Sequence, residues 1–482
     1  MVDIPDPGLQ AAIRDALNKP QEDIYASELD WLQQLDATAR DIQDLSGLEY
    51  CTNLEGLGLW NNQISDISPL AGLTDLTSLT LTENQVSDLS PLADLTNLTE
   101  LRLGANQIAD ISPLANLTSL TTLRLEENQI GDISSLAGLT GLTELSLGDN
   151  LISDISPLAN LTNLIVLGLW GNEISNIFPL INLTSLTGLD LSTNQISNAS
   201  PLAGLTSLAV LSLAQNQVTD VSALANLIGL TWLGLESNQI SDISPLASLT
   251  SLKTLGLWTN EISNILFLTN LTNLTVLTLG KNQIDNISAL ANLTSLTWLT
   301  LPENQISDLS ALANLTSLTR LGLGENQISD ISPLADLASL TNLGIFANQI
   351  KDISPVASLT KLKTLSVEEN QISDISALSE LTDLRVILLD SNSITDTSPL
   401  SGLTKIGEVE EDMWMWLDQR EGIEISLGLR DNQIASIEPL VDNEGLSVPD
   451  GIDLRGNPLS TQSLDTYVPQ LEDRGVNVLY DA

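Results

Sequence analysis

The stretch GLTWLGLESNQISDISPL, residues 229–246, sets Leu230, Leu233 and Leu235 on one side of an extended segment that ends at Asn238. Period-2 alternation turns Trp232 to the other side, away from those leucines. Past Asn238 the chain reads as a bend followed by an irregular or 3₁₀-like return through Ile240, Ile243 and Leu246. A single passage of this kind has nothing to bury its leucines against. Stacked copies of it do.

The copies are present. Asparagine recurs every 22 residues from Asn62 to Asn392, sixteen times in one register. Around each runs L-x-x-L-x-L-x-x-N-x-[IV]-x-x-[IVLAT], usually closed by S-P-L-A-x-L-T. That spacing is a leucine-rich repeat. The expected fold class is α/β repeat: a right-handed, curved solenoid with a parallel β-sheet on its concave face and an irregular or 3₁₀ convex side. The Asn amide both donates and accepts, so it suits backbone groups freed where the strand bends. Four residues later stands Asp in twelve repeats, such as Asp66, Asp132, Asp242 and Asp374, and Asn in the other four, Asn176, Asn198, Asn264 and Asn286. A neutral amide serves as well there, which favours a hydrogen-bonded turn over a ladder of cation sites.

The composition excludes much. The 482 residues include no histidine and one cysteine, which removes Ser-His-Asp and Cys-His catalysis, His-ligated zinc, four-cysteine metal sites and internal disulfides. No catalytic residue, metal ligand or cofactor site is expected. The net charge of −45 argues against nucleic acid and anionic membrane surfaces as partners. No apolar run is long enough to cross a bilayer, and MVDIPDPG does not read as a secretory leader. Cys51 falls in register with core leucines such as Leu73 and reads as a buried small hydrophobe.

Before the array, DPGLQAAIRDALNKP reads as an amphipathic helix with Asp6 as N-cap, Pro7 in its first turn, and Leu9, Ala12, Ile13, Ala16 and Leu17 as the apolar stripe. A second helix, SELDWLQQL, is expected from Ser27, with Trp31 in the core. The domain reading is a helical cap over 1–45, the array over 46–403, an insertion over 404–423, and last repeats with an α/β cap over 424–482. The insertion follows from the 40-residue step between Asn392 and Asn432, and it holds the aromatics Trp414 and Trp416. Residues 463–473 read as a helix of the closing cap.

IPDPGLQAAIRDALNK, followed by IQDLSGLEYCTNLEGLGLWNNQISDISPLAGLTDL, resembles the N-terminal cap and first repeats of bacterial internalin-like proteins. The resemblance implies a curved solenoid whose concave sheet binds a protein partner, and a place outside the cell or at its surface.

Counting from each repeat's Asn, positions −6, −4, −2, −1 and +1 point to the concave side or its rim. Five of the eight tryptophans fall there: Trp60, Trp170 and Trp258 at −2, Trp232 and Trp298 at −6; Phe346 joins them at −2. Glu173, Glu236, Glu261 and Glu303 are interleaved with the rings. The same positions hold fifteen acidic residues against four basic ones, Arg102, Arg124, Lys281 and Arg320. Aromatic anchors in polar surroundings compose a protein-binding surface, and a partner patch with Arg or Lys would gain cation–π contact and steering. The expectation is a monomeric, non-enzymatic protein-binding module; carbohydrate binding on the same tryptophan face is the alternative. A second account of the rings stays open. Trp60, Trp170 and Trp258 follow a glycine by two residues and Trp232 precedes Gly234, so each ring could shield bare backbone.

Overall fold

The computed structural model describes residues 1–408, 418–420, 423–447 and 451–481. The chain divides into two compact units, Met1–Gln239 and Ile240–Ala482, and both are built from the same turn.

In the first unit, the strand Trp232–Gly234 pairs in parallel with Val210–Ser212, with Trp232 beside Val210, Leu233 beside Leu211 and Gly234 beside Ser212. The 22-residue offset recurs at every pairing back to the strand Gln34–Asp36. Return segments such as Ser222–Asn226 are 3₁₀ turns. Leu230, Leu233 and Leu235 have no exposed surface, and each buried leucine contributes ~1.5–3 kcal/mol relative to exposure. The core is a leucine and isoleucine column that no repeat completes alone.

What fixes the bend is the asparagine. The Asn150 amide nitrogen is shared among the carbonyls of Leu125, Leu147 and Gly148 at 3.0–3.1 Å, and its oxygen accepts from the Ile130 amide at 3.0 Å. Asn172 repeats the set on Leu147, Leu169, Trp170 and Ile152. Two of the four partners belong to the preceding repeat, so the ladder welds neighbours as well as closing its own turn. The residue before each ladder Asn sits in the left-handed region, from Asn61 at φ 53° to Ser237 at φ 54° in this unit. Only one of these positions, Gly171, is glycine.

The +4 position behaves as its chemistry demands. In the first unit Asn198 Oδ1 accepts from the Ser200 amide at 2.9 Å, while in the second Asp242 Oδ1 accepts from the Ser244 amide at 2.8 Å. Amide and carboxylate make the same turn.

At the N-terminus, helix α1 (Pro7–Leu17) is capped by Asp6, whose Oδ1 accepts from Gly8 and Leu9 and whose Oδ2 accepts from Gln43 and Asp44. One carboxylate thus starts the helix and ties it to the array. Leu9, Ala12 and Ile13 are buried, whereas Ala16 is exposed and Leu17 half-buried, so the stripe is shorter than expected. The second helix, α2, covers only Ala26–Leu29. It stops because Gln34–Asp36 is the first strand of the sheet, with the Gln33 carbonyl accepting from the Glu55 and Gly56 amides. Trp31 is therefore a surface residue, 84% exposed, and not part of the core. Cys51 is fully buried, and burial, then Glu49 and Asp30, push its thiol up to about 12.

In the second unit, strands from Thr254–Gly256 to Val386–Leu388 keep the 22-residue offset. Asn304 repeats the ladder on Leu279, Leu301, Pro302 and Ile284. The next pairing steps by 40, Ile387 beside Leu427, and Asp418–Arg420 forms an antiparallel pair with Ile423–Ile425. Trp414 and Trp416 lie outside the described residues. Helical residues Ser463–Tyr467 and Val468–Asp473 precede a last strand, Asn477–Leu479, paired with Gly451–Asp453.

Candidate binding face

Each strand of the array is three residues long, with its central residue turned into the core; in the last, Val386–Leu388, the two flanking residues are buried as well, packed with Ile425. Elsewhere the flanking positions, −6 and −4, and the −2 position beyond them therefore make the outer surface of the sheet. Side chains at one position in neighbouring repeats stand side by side, ~4.8 Å apart.

That spacing explains the aromatics at −2. Within the regular array four glycines occupy this position: Gly104, Gly148, Gly280 and Gly324. Each is covered by the −2 side chain of an adjacent repeat. A Cβ on Gly148 would lie 2.2 Å from the Trp170 ring; on Gly280, 2.7 Å from Trp258; on Gly324, 2.4 Å from Phe346; and on Gly104, 3.0 Å from the Glu126 carboxylate. Several ring atoms are nearly equidistant from each of these points, so the rings lie face-on to the glycines. The shielding account is thus correct in kind for these rings but places the glycine wrongly. The covered residue is 22 positions away, across the sheet, and not two positions away along the strand. Trp60, flanked at −2 by Thr82, has no such glycine and is 42% exposed.

The −6 rings differ. Trp232 leans over Gly234 in its own strand, 2.7 Å from where a Cβ would stand, and Glu236 Oε2 approaches the same point to 3.0 Å. Burial pushes the Glu236 carboxyl above its usual range, against the lowering effect of the amides of Glu236 and Leu235. In the second unit, Trp298 stands beside Arg320, whose guanidinium lies 5.2 Å from the ring centroid. The cation expected from a partner is here supplied by the chain itself. Elsewhere on the face Arg102 pairs with Glu100 and Arg124 with Glu144.

The first unit also holds a hollow of about 470 Å³ on the strand face. It crosses four strands, from Val166–Gly168 to Trp232–Gly234, with Trp170 bordering one end and Trp232 the other. Val166 and Val210, each 45% exposed, flank Gly188, whose missing side chain leaves the depression between them. Asp190 and Ser212 supply polar groups in an otherwise apolar lining. Of the residues expected to form the site, the hollow brings together Trp170 and Trp232, with Glu236 next to the latter. Glu173 and Glu261 are exposed at the bends, and Glu303 occupies a left-handed turn position at φ 52°. Val166, Gly188, Asp190 and Val210 were not singled out by sequence. For Val166, Gly188 and Val210 the signal is an apolar or missing side chain at −6 in three successive repeats, where the four repeats before them place Ser, Glu, Thr and Glu; Asp190 stands at −4.

A family model described as leucine-rich repeats, two copies, matches residues 52–226 in overlapping windows and again 294–336 and 338–380. These segments make up more than half of the chain. The chain belongs to the leucine-rich repeat family. Among solved structures, the internalin InlF of Listeria monocytogenes is 35% identical over 82% of this chain and 96% of its own, with a TM-score of 0.49. The functional domain of InlJ from the same organism, which includes a cysteine ladder, is 24% identical over 77% of this chain and 80% of its own, TM-score 0.64. The leucine-rich repeat ectodomain of the Arabidopsis receptor kinase HAESA, solved with an extended IDA peptide hormone ligand, is 24% identical over 88% and 74%, TM-score 0.69. The repeats are internalin-like, although a leucine-rich repeat chain with one cysteine has no counterpart of a cysteine ladder. No curated protein matches the sequence.

Proposed function

We propose that this chain is a non-enzymatic, monomeric protein-binding module, and that the strand face of its first unit receives a segment of a protein partner. The observation that carries the reading is the hollow between Trp170 and Trp232. It is largely apolar with Asp190 in its lining, and its volume falls in the range of pockets that take drug-sized ligands, ~300–1,000 Å³, enough for one or two side chains of a partner. Apolar surface edged by polar groups is the composition of a protein-binding centre. Indole anchors are enriched among residues that dominate such interfaces. The face positions hold few cations, and three of the four are engaged within the chain. The charge left over favours a partner with a basic or neutral contact patch. The HAESA ectodomain, which has the same fold, was solved with a peptide hormone ligand and so supports peptide binding by such an array in general terms.

Carbohydrate is the second reading, because rings laid face-on to the sheet present flat apolar surface to a sugar. A displayed random-peptide library and a glycan panel, both offered to the full chain, separate the two. Selected peptides should bind the native chain and lose binding to Val210→Asp, which puts a charge into the hollow without touching a core leucine. Glycan binding without peptide binding, or peptide binding indifferent to Val210→Asp, would remove the proposal.

A further inference from the structure

The hollow holds one carboxylate, and half of that carboxylate is idle. Asp190 Oδ1 accepts from the Ser192 amide at 2.9 Å and from the Ser192 hydroxyl at 2.6 Å. Its Oδ2 takes no hydrogen bond or ion pair among the described residues. Asp190 is half-buried, so its Oδ2 is open to the hollow, and among the described residues no cation of the chain is paired with it. Arg102 and Arg124 are tied to Glu100 and Glu144, several strands away within the same unit. A cation that pairs with it would come from outside the chain.

Its type follows from what surrounds it. Among the described residues no group of three or more carboxylates or other donors stands ready for a metal ion, and hard divalent cations want six or more oxygens. One carboxylate flanked by indole and valine suits an organic cation. By strand spacing Asp190 lies one strand from Trp170 and two from Trp232, ~5 and ~10 Å across the sheet. Trp170 has one face on Gly148 and borders the hollow with the remainder. A guanidinium is planar, weakly hydrated, forked toward a carboxylate and able to stack on an aromatic face; an ammonium is compact and strongly hydrated. Apolar walls therefore select the former.

We propose that the hollow receives an arginine side chain of the partner, with Asp190 Oδ2 as counter-ion and Trp170 and Trp232 as its aromatic walls. The proposal rests on the reading of this face as a protein-binding surface and adds the chemistry of the contact.

The test uses the full chain and three synthetic peptides, acetyl-Val-X-Val-amide, with arginine, lysine or citrulline at X. Citrulline keeps the shape of arginine and removes its charge. Binding is followed by the indole N–H resonances of Trp170 and Trp232, assigned from Trp→Phe variants. The arginine peptide should shift both resonances saturably, with the citrulline peptide at least about tenfold weaker. The lysine peptide should fall between them. Asp190→Asn retains an oxygen for Ser192 and should lower the arginine peptide to the citrulline level with Tm unchanged. Equal binding of arginine and citrulline peptides by the native chain overturns the proposal without reference to any variant. So does a lysine peptide as tight as the arginine one, or an arginine peptide that leaves both indoles unmoved into the millimolar range. If library-selected peptides without basic residues still bind and still fail on Val210→Asp, the arginine assignment falls while the protein-binding reading stands. If no selected peptide binds the hollow, both fall.

Discussion

In the first unit Trp170 and Trp232 stand at opposite ends of a hollow four strands wide. In the second, Trp258 and Phe346 lie on glycines of neighbouring strands, and Trp298 has Arg320 over its ring. Both units draw on one backbone: Asn150 in the first and Asn304 in the second bond equivalent carbonyls and amides at distances within 0.1 Å of each other. The framework is shared, and the decoration differs. An aromatic on the strand face is therefore not a binding residue by position alone. What adjoins the ring decides whether it paves the sheet or borders an open surface, and Trp170 and Trp232 do both.

The sharpest way to break this comparison is through the framework. Asn150→Ala and Asn304→Ala each leave buried carbonyls and one buried amide without a partner, so each should cost about 3 kcal/mol or more. The two losses should agree to within about 0.5 kcal/mol. Denaturant unfolding of both variants checks this. A large disparity would show that the units differ in their backbone, and that the contrast in decoration is secondary.

Next in size is the contrast between the rings. Trp232→Ala should weaken peptide binding by about 2 kcal/mol or more, the scale of an anchor truncation, and, because it uncovers Gly234, cost about 0.5–1 kcal/mol in stability. Trp258→Ala should share only the second effect, uncovering Gly280 at a cost of about 0.5–1 kcal/mol in stability and leaving peptide binding as it was. Calorimetric titration and thermal melts on the same two proteins give all four numbers. If Trp258→Ala abolishes binding and leaves Tm alone, the division between paving and bordering rings is wrong.

These outcomes bear on what could be read from sequence. The ladder, the Asp6 cap and the Asp/Asn turn at +4 were legible because each is a local pattern whose chemistry can be argued from one repeat. The partners of the rings were legible only for Trp232, whose Gly234 lies two residues on. Gly148 under Trp170 and Arg320 over Trp298 lie 22 residues away, and an in-strand search looks at neighbours two residues off. Laying the repeats in register and reading down one column would have shown all three −2 aromatics of the array interior beside a glycine. Trp31 was misplaced for a different reason. SELDWLQQL has helical periodicity, but Gln34–Asp36 is needed to pair with Gly56–Gly58, and that tertiary demand ends the helix at Leu29. The hollow depends on what is missing at Gly188 and on the side chains around it, and a loss of volume leaves little trace in a hydrophobic pattern.

A smaller effect separates repeats within each unit by pH. Asp88, Asp110 and Asp154 in the first unit, and Asp242, Asp308, Asp330 and Asp374 in the second, are held below the usual carboxylate range, first by the amide and then by the hydroxyl of the serine two residues on. A folded-state pKa below the unfolded one means stability present in full above the unfolded value and lost as pH falls through the folded one. Tm should therefore drop as pH falls below about 4, with contributions from both units. Asp242→Asn should match the native Tm at neutral pH and lose slightly less of it in acid. Asp242→Ala should melt lower at both. Should Asp242→Asn melt as low as Asp242→Ala at neutral pH, the charge and not the turn is what the position requires.

The smallest effect concerns the residue before each ladder Asn, where the backbone is left-handed in both units. The first unit has Gly171 at φ 64°, the second Thr259 at φ 56°. A β-branched residue pays a steric penalty in this region that glycine does not, although glycine loses more backbone freedom on folding. The steric term is the larger for threonine, so Thr259→Gly should stabilise the chain by a few tenths to about 1 kcal/mol. Gly171→Thr should destabilise it by more than that, since a Cβ there would lie 2.1 Å from Asp149 Oδ1 and the Asp149 side chain would have to move. The swap touches no core leucine. Because Gly171 adjoins Trp170, it also asks whether the hollow depends on a relaxed turn at its edge. If the turn belongs to the common framework, both variants change Tm in opposite directions and peptide affinity stays put. If Gly171→Thr weakens peptide binding more than it lowers stability, the glycine is part of the binding surface, and the line drawn between framework and decoration has to move one residue outward.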